Sequence, residues 1–287
     1  MLKGIVDLHV HTSPDVRPRR FSDTELAELA RALGAEGLVL KGHHFSTVER
    51  AQLAQTTVPG IRVMGGIVLN HSSGGLDPVA VTRACEAGAK IIWMPTLDAA
   101  NHRRHENKPG GIEIAAGGIL MPAVTEILAI IARHDIALAT GHLSPAEIRL
   151  VTGAAAAAGI RRIIINHPEH RVTGLSIQDQ RELGQLGPVY FERCYAQPAG
   201  DGRYASNLDV NFAAIEALGP DSTVLASDSG QMESVPWDIA WHETLLHHSA
   251  RGLSAKDLDR MSKTNPRFLC GLAETALTPP ASPKRAA

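Results

Sequence analysis

The stretch VDLHVHTSPDV, residues 6–16, closes an apolar run with His9 and His11 two residues apart. In a β-strand, residues i and i+2 point the same way. On a regular strand Asp7 shares that face. Three coordinating groups then stand where a core strand would present apolar ones. Neutral imidazoles and a carboxylate gathered around one point are the donor set of a divalent metal ion. Asp7 reads either as a carboxylate that takes a proton from a ligand imidazole or as a plain structural acid. Histidine is the compositional outlier, with fourteen in 287 residues.

The segments that position these groups alternate between strand-like and helix-like patterns. Strands are predicted over 4–10, 36–42, 61–69, 89–95, 136–142, 161–167, 188–194 and 222–228. Most are continuously apolar, as parallel strands are when helices cover them. Between them lie helix starts: Ser22 with Glu25, Asp77 with Pro78, and Ser144 with Pro145 and Glu147. Ser176 to Leu186, Asn207 to Leu218, 237–250 and 255–263 also read as helices. A polar segment, 97–111, is long for a simple connection. A small hairpin over 112–120 follows it. Eight β–α units without a linker predict an α/β fold, a (β/α)8 TIM barrel, distorted if anything, with the hairpin inserted after strand four. One barrel is expected over 1–274 and a flexible tail over 275–287.

Active sites of such barrels lie at the C-terminal ends of the strands. Those ends carry Asp7, His9 and His11; Lys41, His43 and His44; Asn70 and His71; Met94, Pro95 and Thr96; His142; Asn166 and His167; Glu192 and Arg193; and Asp228. DLHVH on strand one, GH on strand five, NHP on strand six and SDSG on strand eight resemble the amidohydrolase superfamily of metal-dependent barrels. TNPRFLCGL, 264–272, resembles the segment that often closes them. The chain is also similar to a small uncharacterised amidohydrolase-like subgroup. DxHxH is likewise shared with phosphatase-type domains.

The resemblance implies that His9 and His11 bind metal, that His142 and His167 complete the nitrogen set, and that Asp228 binds metal and moves protons. In single-metal relatives the histidine at the position of His167 often touches the attacking water or the substrate. Binuclear members usually carry a bridging carboxylated lysine or a glutamate at the end of strand four. Here that strand ends Ile92, Trp93, Met94, Pro95. A single ion is therefore favoured over two. Lys41 is the residue that could compensate, carboxylated or as a cation that holds substrate. Zinc suits the nitrogen-rich set, and manganese, nickel or iron are also accommodated.

Asp228, His167 and Lys41 are the expected catalytic residues. His43, His44, His71, Arg17, His102 and Glu192 are the expected pocket residues. The reaction expected is attack of metal-activated water on an amide, cyclic amide or lactone. Decarboxylation, phosphoester hydrolysis and a non-enzymatic metal-binding role are the alternatives. A formal net charge of −2 and few aromatics argue against nucleic-acid or membrane partners and leave a small polar or anionic molecule. No stripe marks a homo-oligomer interface, and that question stays open. Three widely spaced cysteines do not form a disulfide scaffold, so a cytoplasmic location is the default expectation.

Overall fold

The computed structural model describes residues 2–200 and 202–272. Among these, the apolar runs become short parallel strands separated by helices. The strands are β1 (Val6–Val10), β2 (Gly37–Leu40), β3 (Arg62–Met64, resumed as Gly66–Val68), β4 (Ile91–Trp93), β5 (Ala137–Ala139), β6 (Ile163–Ile165), β7 (Val189–Cys194) and β8 (Thr223–Ala226). The covering helices are α1 (Asp23–Ala32), α2 (Val48–Thr57), α3 (Pro78–Glu86), α4 (Pro122–His134), α5 (Pro145–Ala157), α6 (Ile177–Gly184), α7 (Leu208–Leu218) and α8 (Trp237–Ala250). The capping boxes read at Ser22 and Ser144 are formed, and Asp77 caps α3 ahead of Pro78. The inserted hairpin pairs Ala115–Ala116 with Ile119–Leu120. The polar segment before it holds a short helix, Ala100–His105. The tail expected over 275–287 lies outside the described residues.

The strands form two hydrogen-bonded arcs that share β3. One arc runs β1–β2–β3 and the other β3–β4–β5–β6–β7–β8. Gly65 marks the break within β3, where a Cβ would lie 2.4 Å from the Thr47 carbonyl oxygen. The far seam closes where Val10 bridges Ser229 and the His11 amide donates to the Ser229 carbonyl at 2.8 Å. The result is the expected (β/α)8 barrel with one kinked strand. Its lumen is filled by one apolar cluster that includes Val6, Leu8, Val39, Trp93, Ile164 and Val224. Phe268, from the Asn-Pro segment, joins that cluster against Tyr190, with ring centroids 5.8 Å apart. Asn265 holds this closing segment by donating to the Thr223 carbonyl at 2.6 Å.

The face that Asp7 takes differs from the sequence expectation. Pairing runs Val6 to Gly37, Asp7 to Leu38, then Val10 to Leu40. Leu8 and His9 together oppose the single residue Val39, which is a β-bulge. The bulge switches faces. Val6 and Leu8 point into the lumen, yet His9 also turns inward, and Asp7 faces out. Outside the barrel the Asp7 carboxylate accepts from the indoles of Trp237 and Trp241 at 2.9 and 2.8 Å and from the Ser227 amide at 3.2 Å. Asp7 is therefore a structural anchor of α8 and no part of a metal site.

The β8–β1 seam depends on a glycine. Gly230 has φ of 125°, and a Cβ there would sit 1.8 Å from the His11 carbonyl oxygen. Gly230→Ala would force the seam apart and adopt a conformation that L-residues avoid. Backbone strain and overpacking of this kind each cost about 1–3 kcal/mol. The expected outcome is a Tm lower by roughly 6 °C or more in a thermal melt. A Tm within about 2 °C of the parent would show that the seam relaxes freely.

Candidate metal centre and its pocket

The centre is built outward from β1. His9 and His11 are 1% and 2% exposed. His9 Nδ1 lies 3.1 Å from Glu192 Oε2 at the end of β7. Glu192 also accepts from Asn166 Nδ2 at 2.8 Å. Burial alone would raise the Glu192 carboxyl. The contact with His9, with help from His167 and Lys41, instead brings it down to about 2. An ionised carboxylate only accepts, so it holds the proton on His9 Nδ1 and leaves Nε2 as a bare lone pair.

That lone pair faces Asp228 Oδ1 at 3.2 Å, and His11 Nε2 faces the same oxygen at 3.1 Å. Burial, then the nearby Arg19 charge, lowers His11 to about 3, so its ring is neutral. Burial works against ionisation of Asp228, but His9, His11 and Lys41 outweigh it and hold the carboxyl well below the ordinary range. Asp228 is placed by an unusual backbone, with φ of 50° immediately after β8. Strained conformations of this kind persist where the surroundings over-determine them, often at functional sites.

These donors fit a divalent ion. Two atoms bound about 2.05 Å from a tetrahedral ion are about 3.3 Å apart, close to the 3.1 and 3.2 Å that separate Asp228 Oδ1 from the two Nε2 atoms. Cys194 also reaches the centre: His9, Cys194 and Asp228 have ligand atoms all within 4.8 Å of one another. Its thiol lies 3.8 Å from His9 Nδ1 and 3.7 Å from Glu192 Oε2. Burial, Glu192 and Asp228 push that thiol well above its ordinary value, which keeps it protonated.

Lys41, at the end of β2, is 2% exposed. Its Nζ is 3.0 Å from His9 Nε2 and 5.8 Å from the centre of the Trp93 ring. Burial lowers its pKa, partly offset by Asp228 and Glu192. The strand-two lysine therefore does reach the same point as the β1 histidines.

Further imidazoles continue from this point. His43 stacks on His11 with centroids 4.9 Å apart, and its Nδ1 lies 2.8 Å from Thr96 Oγ1. His167, with φ of 27°, lies 6.1 Å from the His9 ring and 5.1 Å from the His142 ring. His167 Nδ1 is buried with no hydrogen-bond partner among the described residues. Burial keeps His43, His142 and His167 far below the usual imidazole range.

All of this opens on one cavity of about 360 Å³. Of the expected residues, His9, His11, Lys41, His142, His167 and Asp228 line it, as do Arg17, His43, His44 and His102. Two expected pocket residues do not. Glu192, 1% exposed, stands behind His9, and Arg193 pairs with Glu169 instead of with it. His71 is exposed on a turn beyond β3, where its amide donates to Asp98 Oδ2 at 2.9 Å. The neighbouring Asn70 takes the inward place, binding the His43 carbonyl and Thr96 Oγ1.

Sequence reasoning missed Cys194 and His170. The first follows Glu192 at strand spacing, and the second follows His167 by three residues. His170 lines the cavity 5.0 Å from the His167 ring, and burial lowers it to about 4. Residues after β7 shape the mouth. They form a hairpin, Ala196–Pro198 with Tyr204–Ser206, whose Pro198, Arg203 and Tyr204 line the cavity.

Residues 4–192 match a family of unknown function, DUF6282. The chain belongs to that family. No curated protein matches it in sequence. Several solved structures are similar to this DUF6282 chain over nearly its whole length. One is described as a 2-pyrone-4,6-dicarboxylic acid hydrolase from Pseudomonas putida, 19% identical, with a TM-score of 0.61 over 96% of this chain and 100% of that one. An amidohydrolase from Pseudomonas aeruginosa is 13% identical, with a TM-score of 0.63 over 94% and 97%. An organophosphorus hydrolase from Deinococcus radiodurans is 14% identical, with a TM-score of 0.58 over 92% of each chain. At these identities the likeness establishes the barrel fold of amidohydrolases for this DUF6282 member. No helix among the described residues is long and apolar enough to cross a membrane.

Proposed function

We propose that this DUF6282 protein is a metal-dependent hydrolase of a small anionic lactone, cyclic amide or amide. The observation that carries the reading is the contact of two buried Nε2 atoms, from His9 and His11, with one Asp228 oxygen at the floor of the cavity. His9, His11 and Asp228 would hold the ion, with His142 and His167 offered from β5 and β6. The nitrogen-rich set favours zinc. The chemistry a bound divalent ion supplies is polarisation of a carbonyl and a lowered pKa for water.

The protein's own groups supply the rest. The ionised Asp228 carboxylate accepts the proton of the attacking water and returns it to the leaving group. The His167 ring lines the cavity beside the centre, and where it does not hold the ion it can donate to the oxygen on which negative charge develops. Lys41 Nζ reaches the same point, 3.0 Å from His9 Nε2, where it can hold substrate. Toward the mouth the lining carries Arg17, Arg19, Arg171 and Arg203 against Glu106 and Glu233. Arg17 pairs with Glu233 and Arg19 with Asp15, and the Arg171 guanidinium beside them suits a substrate that bears a carboxylate. The 360 Å³ volume suits a small molecule. Free, buried Cys85, Cys194 and Cys270 are in keeping with a reducing cytoplasm.

The deciding experiment joins elemental analysis of the purified protein to a panel of lactones, imides, amides and phosphoesters with and without carboxylates. About one zinc per chain is expected, with turnover confined to the carboxylate-bearing lactones or cyclic amides. Protein that takes up no zinc, manganese, nickel or iron would defeat the reading. Release of carbon dioxide without hydrolysis would replace it with decarboxylation.

A further inference from the structure

We infer that His102 and Glu106, carried on and just beyond the short helix Ala100–His105, are positioning residues that fix the tautomer of His142 and present its Nε2 to the cavity as a lone pair. The inference rests on the metal-centre reading for its functional meaning. Its structural basis is separate.

His142 Nδ1 and His102 Nδ1 are 2.8 Å apart, in residues that are 8% and 7% exposed. Two ring nitrogens at that distance need one hydrogen between them, so one donates and the other accepts. The His142 ring alone does not decide which. The decision comes from the far side of His102, whose Nε2 lies 3.4 Å from Glu106 Oε1. That nitrogen is buried and makes no aligned hydrogen bond among the described residues, and the Glu106 carboxylate lies beside it. Lys108 Nζ sits 2.9 Å from the other Glu106 oxygen, and its hydrogen bond is the main influence that keeps Glu106 ionised.

A carboxylate has no hydrogen to give, so it favours the proton on His102 Nε2. A neutral ring protonated at Nε2 has a bare Nδ1. The shared hydrogen then belongs to His142 Nδ1, and His142 Nε2 is left as a lone pair. The His142 ring lines the cavity. The tether is reinforced through the backbone. Asn101 Nδ2 donates to the His142 carbonyl at 3.1 Å and to the Val172 carbonyl at 2.8 Å. The long polar connection after β4 thus holds the β5 histidine by its ring and by its main chain.

Imidazole nitrogen NMR of the metal-free protein tests the tautomer directly, with the His142 signals assigned by their loss in His142→Gln. The expected spectrum has a proton on His142 Nδ1 and a bare Nε2. Zinc affinity by chelator competition gives the second readout. His102→Phe should weaken binding about 10–100-fold, the usual cost of losing a partner behind a ligand imidazole. His102→Asn, whose Oδ1 can replace the accepting Nδ1, should stay within about three-fold of the parent. A proton on His142 Nε2 in the parent would overturn the inference. Equal losses in the Phe and Asn variants would also overturn it, since they would mark a merely structural role. If the parent binds no zinc, the hydrolase reading fails, and the NMR tautomer still decides this one.

Discussion

Asp228→Asn is expected to lower kcat/KM on the best panel substrate by about 10²–10⁴-fold, the range associated with a positioned acid–base group. Asp228 is the carboxylate shared by both β1 imidazoles, and its Oδ1 also accepts from Gln231 Nε2 at 3.2 Å. Asparagine keeps nearly the same shape and tolerates the left-handed backbone at φ of 50° as well as aspartate does. The fold should therefore survive, and a thermal melt would confirm that. The amide removes the negative charge that Asp228 presents beside His9 and His11 to a bound ion, and it cannot accept a proton at neutral pH. Steady-state kinetics at saturating zinc separate the two losses, because metal occupancy is restored while proton transfer is not. A variant that retains more than about a tenth of parental kcat/KM would take Asp228 out of the proton-transfer role.

Removing the acceptor behind His9 should produce the second large effect, this time on metal affinity. Glu192→Leu is expected to weaken zinc binding by about 100-fold and Glu192→Gln by about 10-fold, the two ends of the range for such partners. Glu192 Oε2 accepts from both His9 Nδ1 and Asn166 Nδ2. A glutamine oxygen can take the same two bonds, so the tautomer is retained and only the charge is lost. Leucine removes the acceptor. His9 is then free to carry its proton on Nε2, where it would oppose an ion, and Asn166 loses a partner. Chelator competition on both variants checks the order. Parental affinity in Glu192→Leu would show that the β1 histidine needs no such support.

The barrel was legible because its local signals agree. Continuous apolar strands, capping residues at Ser22, Asp77 and Ser144, and the closing Asn-Pro segment all appear where those patterns place them. The centre was legible because barrel topology collects strand ends, and strand ends can be read along a chain. Faces were less legible. Asp7 was assigned to the side of His9 by the period of two, and the bulge at Leu8–His9 broke that period. Glu192 read as a pocket acid because it ends a strand, although its side chain is engaged behind His9. His71 lies one residue beyond Asn70, and that single step moved it from the cavity to the surface.

The sequence by itself determined the eight-fold alternation and the kinds of donor at each strand end, since periodicity, caps and residue type are local properties. Only the tertiary structure decided which donors meet. Whether His9 finds Glu192, whether Cys194 and His170 join the centre, and whether His102 reaches His142 depend on rotations about strands far apart in the chain. Those rotations are set by a bulge, a kink at Gly65 and the close approach of Gly230 to His11. Each is a steric fit between distant segments, and no spacing within one segment encodes it.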